Sequence, residues 1–436
     1  MSQVILSSAA NSSLLQTLNQ SDSKVIQNIY NLKEIYAPTA TSWYSNIKAQ
    51  SSNLNPGGSI IFNLPKYGFL EQVLFNFKYK FTASTATADN NSLVLPQGSS
   101  YNMIDRIEFM SSSRVISTLY SADLIALHSN LDTDQRSPIK ETWVKSEEVK
   151  AGDGTAVLEI EDEYVLPIHF GFQNDINTQR NLSFDEPSSI RIVWGPSFDL
   201  AVNKLNADGV TGVQVGTGAV SDVNLSLRYK QYNEADTAML LTENYSEPQL
   251  NQLVTKQFRE NPTTVTSAAG VGEYTNLNMA IFDINLKNVD VVNAFYIIVK
   301  MEKLNGADGS QSADITKINK IKKISLFASG VEICSIGYLQ NYYSKLTENG
   351  YSIQGDTTGT LEFDNVFKIQ TGLYENASGG PWSNGWSLRE MNSLTLRVEC
   401  EVPLAGKNYT CFVCETCSTI LSTSSATGRC QNSLSN

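Results

Sequence analysis

The segment IDRIEFMSSSRVISTLYSADLIALHSNL (residues 104–131) returns in altered form as INKIKKISLFASGVEICSIGYLQNYYSKL (residues 318–346). Ile104 and Ile107 map onto Ile318 and Ile321 at an offset of 214, and Leu124 and Leu131 onto Leu339 and Leu346 at 215. Upstream, IFNLPKYGFLEQVLFNFKYK from Ile61 resembles IFDINLKNVDVVNAFYIIVK from Ile281 at 220, and downstream SSIRIVW resembles NSLTLRV at 204. Loops of unequal length account for the drift. Solenoid repeats run to about 20–50 residues, so a period near half of 436 residues marks a duplicated domain.

The repeated unit reads as β. In VLFNFKYKF, Val73, Phe75, Phe77, Tyr79 and Phe81 alternate with Leu74, Asn76, Lys78 and Lys80, which puts one face in a core and the other mostly in water. SIRIVW (Ile190, Ile192, Trp194) and VNLSLRY (Val223, Leu225, Leu227, Tyr229) repeat the pattern. A short helix-like run follows the opening repeat and sets Leu124, Leu127 and Leu131 on one side.

The first fifty residues differ. Asp22 or Ser23 serves as N-cap to a helix carrying Val25, Ile26, Ile29, Leu32 and Tyr36, and Pro38 closes it. The expected organisation is therefore an N-terminal arm over 1–50, a first domain over 51–245 and a second over 246–436, with a polar, helix-compatible connection near 232–254. About eight strands per copy suit an all-β chain of two tandem antiparallel jelly rolls with short helices in the loops. The longer loops of the first copy are expected over 82–101, 132–163 and 201–221.

Charge narrows the partners. Lys+Arg 32 against Asp+Glu 44 gives a net charge of -12, which repels a phosphate backbone and argues against direct nucleic-acid binding. The opening MSQVILSSAANSSLL carries no basic segment ahead of its apolar residues, and no run reaches the roughly eighteen apolar residues of a membrane span. The chain is expected to be made in, and remain in, the cytosol of its producing cell.

Catalytic constellations are sparse. The two histidines, His128 and His169, serve no visible nucleophile and read as packed imidazoles. CFVCETC, with Cys411, Cys414 and Cys417, and then Cys430, has the count for a four-thiolate zinc site. Aligned with VNLSLRYKQ, however, it is a strand, with Cys411 and Cys417 on one face and Cys414 on the other, so buried thiols are expected in place of a metal. Cys334 and Cys400 read as core. The glycines of GVTGVQVGTGAV lack the helix a phosphate cradle needs, the Asp-Gly turns lack calcium-loop spacing, and EIEDEY (Glu159 to Tyr164) reads as a solvated strand face or loop. Trp382 and Trp386, in GGPWSNGWS, have the chemistry to stack on sugars or to pack in a loop. No cofactor and no enzymatic activity are expected.

The strand, Ser/Gly turn, Val-Ile strand, aromatic and Leu-rich helix resemble a segment of the double jelly-roll major capsid proteins, the PRD1/adenovirus-type lineage, nearest in flavour to virophages and polinton-like viruses. Gly330 keeps one turn glycine of the pattern, where the first copy has serines, and LPIHFGF followed by SSIRI is similar to a further family strand pair. The likeness covers about residues 50–420.

The resemblance implies a major capsid protein that forms pseudo-hexameric homotrimers tiling an icosahedral shell. Its implied partners are itself, neighbouring trimers, penton and minor capsid or membrane proteins, and an internal membrane nearby. The implied location is the virion capsid, after synthesis in the host cytoplasm or a viral factory. The alternative is a two-domain β-sandwich that binds carbohydrate as a lectin or adhesin does; a β-sandwich hydrolase has only scattered carboxylates behind it.

Overall fold

The computed structural model describes residues 40–66, 68–84, 92–95, 98–129, 139, 141–144, 147–150, 157–171, 182, 186–205, 216–232, 249–270, 274–288, 290–302, 318–341, 343, 365–371, 385–387, 393–424 and 430–432. The helix expected in the arm lies outside them.

The described part of the first copy holds strands β1 (Ala40–Lys48), β2 (Ser51–Ser52), β3 (Ser59–Asn63), β4 (Phe69–Ser84), β5 (Ser92–Leu95), β6 (Ile104–Ser111), β7 (Arg114–Tyr120), β8 (Glu147–Lys150), β9 (Val157–Ile168), β10 (Ser188–Trp194), β11 (Asn203–Leu205) and β12 (Gly216–Tyr232), with helix α1 (Ser121–Ser129) after β7. The second copy holds β13 (Gln249–Arg259), β14 (Thr263–Thr266), β15 (Ala268–Ala269), β16 (Asn278–Asn285), β17 (Val291–Met301), β18 (Ile321–Ala328), β19 (Val331–Gly337), β20 (Phe367–Gln370), β21 (Trp386–Ser387), β22 (Leu394–Glu401), β23 (Asn408–Ser424) and β24 (Cys430–Asn432).

Two principal sheets build each copy. Order β1-β12-β4-β9 is paired with β2-β3-β10-β6-β7 in the first, and β13-β23-β17-β20 with β15-β16-β22-β18-β19 in the second; a small sheet β11-β5-β8 extends the first. With the two-residue β2 and β15 set aside, and with β14 and β24 beside β23 and β21 beside β17 counted as additions to the second copy's seven-stranded sheet, each copy is four strands on four, the antiparallel jelly-roll order, and the chain is a double jelly roll. No described sheet mixes strands from before β12's end with strands from after β13's start.

The duplication is sharper in three dimensions than in the sequence. β6 to β18 and β7 to β19 both run at an offset of 217 (321 minus 104, 331 minus 114). Ser112 (φ 55°) and Ser329 (φ 50°) hold the same left-handed turn position, and the bulge after Phe109 recurs after Leu326. Ile192, opposite Ile107, matches Val398, opposite Ile324, at an offset of 206. The sequence alignment therefore slips by two or three residues.

Three expectations change at their edges. Residues 40–48, assigned to the arm, form β1, which pairs along its whole length with β12. The stretches 82–101, 132–163 and 201–221 are not single loops, because β5 lies in the first, β8 and the first half of β9 in the second, and β11 and the start of β12 in the third, and the connection near 232–254 ends in β13.

Alternation in β4 does what its pattern requires. Val73, Phe75, Phe77, Tyr79 and Phe81 are at most 1% exposed. Phe77 stacks on Tyr164, its cross-strand partner in β9, at 5.5 Å between centroids, and meets the edge of Trp194 at 5.3 Å. Tyr79 takes its hydroxyl into the core and satisfies it by donating to the Phe198 carbonyl at 3.0 Å. Phe77 is the hub of this cluster, so Phe77→Ala should lower stability by about 3–5 kcal/mol. Chemical unfolding followed by tryptophan fluorescence measures it; a loss below about 1 kcal/mol would contradict this core.

Candidate functional site

The most chemically distinctive place in the described structure is the seam between the two jelly rolls. Helix α1 leaves the end of edge strand β7 and packs on β13, β17 and β23 of the second copy, while β7 meets β13 and β24. Ile125, Ala126, Tyr296, Ile298 and Cys414 belong to one continuous apolar cluster that crosses between the copies. Strand β17 is consequently buried on both faces from Val292 to Val299. Its sequence VVNAFYIIV is a nearly unbroken apolar run, as such a strand requires.

Polar groups pin the seam. Asp123, 1% exposed, accepts the Tyr120 N–H at 2.8 Å with Oδ2 and so closes the first turn of α1. Across the seam its carboxyl faces the Cys414 thiol and the Arg259 guanidinium. Arg259 lies flat on the Tyr120 ring, 3.5 Å from guanidinium carbon to centroid. Burial raises the Asp123 carboxyl to about 6, against the opposing pull of the Tyr120 N–H, Cys414 and Arg259. At Gly171, with φ +80°, the backbones of the two copies come so close that a Cβ would collide with the Thr255 carbonyl oxygen.

Both histidines sit together near α1. His128, 1% exposed, is bonded through Nδ1 to the Tyr101 hydroxyl, with the Pro167 carbonyl as a further partner. Burial keeps this imidazole in its neutral form at ordinary pH. Burial depresses its pKa to about 3, and neighbouring His169 adds to the shift.

The cysteines do not converge. Cys411 and Cys417 face the interior of the second jelly roll, whereas Cys414 faces the seam. Cys430 lies on β24, in the pair opposite Thr423. Burial raises the thiols of Cys411, Cys414 and Cys417, which disfavours the thiolate that a metal or a nucleophile needs. Among the described residues, no three His, Cys, Asp or Glu side chains are placed to hold a metal ion.

Beside Cys417 lies a group that sequence reasoning missed. Glu415 is 0% exposed, accepts from Asn288 Nδ2, and has Glu260 and Asp290 nearby. Asn288 also donates to Cys417 Sγ at 3.0 Å, and Glu260 accepts the Asn288 N–H at 3.0 Å. Burial raises Glu415 to about 8, and the two carboxylates add to the shift. In CETC nothing but its place on a doubly buried strand distinguishes this glutamate from a surface one.

The remaining candidates are structural where described. Glu159 pairs with Lys80 at 3.0 Å and Glu163 with Lys78 at 3.9 Å on the outer face of β9. Gly216 and Gly218 open strand β12. Trp386, on β21 beside β17, is half-buried against Phe295 at 6.3 Å; Trp382 lies outside the described residues.

No protein-family model and no curated protein matches the sequence. Among solved structures the fold is similar to PBCV-1 VP54, fitted into a reconstruction of the virophage Sputnik, with a TM-score of 0.61 at 9% identity over 92% of this chain and 98% of that one. The Faustovirus major capsid protein gives 0.59 at 8% identity over 96% and 98%. The mavirus major capsid protein gives 0.55 at 12% identity over 90% of each. What the chain shares with these proteins is the tandem arrangement of two jelly rolls along nearly its whole length.

His128 and Glu415, both buried, are shifted in opposite directions. His128 is lowered in the fold, so its contribution is complete above about 6.5 and is lost as pH falls toward 3. Acid should destabilise the chain there by about 1.4 kcal/mol per pH unit, and His128→Gln should flatten that limb in pH-dependent melting; an unchanged acid limb would count against the buried neutral imidazole. Glu415 is raised, so its contribution is complete below about 4.5 and is lost as pH climbs through 8. Glu415→Gln should gain stability relative to the parent between pH 6 and 9 in the same melts; equal losses at every pH would show that the carboxyl is not titrating.

Proposed function

We propose that this chain is the major capsid protein of an icosahedral virus, assembling as pseudo-hexameric homotrimers that tile the shell. The observation that carries the reading is the fold: one chain holds two jelly rolls of the same strand order, joined by a buried seam, and matches capsid proteins from end to end. Two similar domains per chain and three chains per capsomer give six similar edges, which is what a facet with near-sixfold packing requires. A shell protein needs self-association and no chemistry of its own, and the buried, protonated thiols and neutral histidine suit that role.

The division into an arm (1–50), a first jelly roll (51–245) and a second (246–436) belongs to the same proposal. Sheet membership supports the main boundary, with β1 added to the first jelly roll. The working partners are other copies of the chain, penton and minor capsid proteins, and an internal membrane; the net charge of -12 leaves genome contact to other components. The site of action is the virion capsid. Light scattering and negative-stain imaging of purified protein test the proposal: the expected particle is a trimer, three times 48.0 kDa, with a six-cornered outline. A monodisperse monomer of rounded shape would overturn it.

A further inference from the structure

One end of the second jelly roll is closed by hydrogen bonds to a short connection. Between β16 and β17 the chain crosses from one sheet to the other, and on the way it buries the Asn288 side chain. That amide is used in full: Nδ2 donates to Glu415 Oε2 and to Cys417 Sγ at 3.0 Å, and Oδ1 accepts the Asp290 N–H at 3.0 Å. Glu260, just past the end of β13, accepts the Lys287 and Asn288 N–H groups with Oε1. Two carboxyls, one on β23 and one beside it, thus hold the side chain and the backbone of a single residue.

The hold on Glu415 is one-sided. Its Oε1 is buried without a hydrogen-bond partner among the described residues, and Asn288 has no further donor to offer. The surroundings do not supply the missing charge. Glu260 stands on the β13 side, Asp290 at the start of β17 and the Cys417 thiol on β23 itself, while the facing sheet lends this interior apolar side chains and the Cys400 thiol. Of the two nearby cations, Lys256 lies 3.9 Å from Asp290, and Lys287 is exposed and faces Glu260. A half-paired carboxylate in such an interior costs far more than a neutral acid, so the seat fits the protonated form. The fold itself asks for no acid here: the inward residues of β12, the same strand of the first copy, are Leu225, Leu227 and Tyr229.

We infer that the β16–β17 connection, through Lys287 and Asn288, is a latch that the proton on Glu415 keeps shut and that alkali opens. When that proton passes to solvent, the new charge on Glu415 repels Glu260, which holds the connection, and Asp290, which Asn288 holds. The donor that remains for Oε1 is water, and water enters as the connection lifts off. The inference does not depend on the capsid reading; in a shell of such chains, loosening of the second jelly roll would follow a rise in pH.

The test is amide hydrogen exchange on the full-length parent and on Glu415→Gln, from about pH 6 to about pH 9, with the segment around Lys287 and Asn288 measured against β4 so that the intrinsic effect of pH divides out. In the parent, protection of the connection relative to β4 should fall about tenfold per pH unit above about 8, as loss of one proton requires. In Glu415→Gln it should stay level. A level curve in the parent would overturn the inference, and so would an equal fall in the variant. If the variant does not fold, the parent decides alone: a fall confined to the connection supports the latch, and a connection that tracks β4 refutes it.

Discussion

The seating of α1 on the outer face of β13, β17 and β23 is the contact on which the rest of the molecule depends. A jelly roll by itself needs only one face of each sheet buried, so its strands alternate. The sheet that receives α1 has no wet face where the helix lies, and its strands accordingly carry apolar residues on both sides, from Val292 to Val299 in β17 and through Cys411, Val413 and Cys414 in β23. The polar groups at the seam are held in place: Asp123 by the Tyr120 N–H, facing the Cys414 thiol and Arg259, and Arg259 by the Tyr120 ring. Opening the seam would expose the continuous apolar cluster that spans both copies, so the two jelly rolls are expected to move as one body.

Duplication supplied the geometry, and divergence supplied the use. Both copies keep the left-handed serine, the bulge and the register of the edge hairpin. Where the copies part is at the end of the hairpin and the start of the helix, at Tyr120 and Gly337, Ala122 and Leu339, Asp123 and Gln340, Leu124 and Asn341. The first set fits the seam; the second lacks both the acid and the ring that the seam uses. One hairpin thus has a settled partner inside the chain, while the other keeps an apolar surface outside.

Much of this was legible in the sequence, and the misses have physical causes. Period-two alternation in VLFNFKYKF and VNLSLRY marks their strands because each has one wet face. The repeat was found, but its register slipped, because INKI and IKKI in the second copy are equally good matches to IDRI; the choice between them is made by pairing with β22. ATSWYSNIK was absorbed into the arm since it has no clean alternation, with Trp43 49% exposed and Tyr44 74% exposed, and its strand state comes from pairing with β12. QLNQLVTKQFR looked like a connection for the same reason and is held by β23. The alternate facing of Cys411 and Cys414 could be read from spacing alone. That both faces are dry could not, which is why the buried Glu415 and its network with Asn288 and Glu260 went unseen.

A sheet face that is covered within the chain and one that stays in water face different demands, and the two equivalent sheets differ accordingly. The seam forms as the chain folds and need never meet water again, so the β13-β23-β17 face can be apolar and can hold a buried carboxyl. The corresponding β1-β12-β4 face of the first copy is mixed: Asn76, Ser226 and Arg228 alternate with the core residues, and Glu71 pairs with Arg228 at 2.9 Å and Lys230 at 2.8 Å. The contrast between VVNAFYIIV in β17 and VLFNFKYKF in β4, two strands at the same place in the same fold, is therefore the contrast between a strand covered on both faces and one that keeps a wet face.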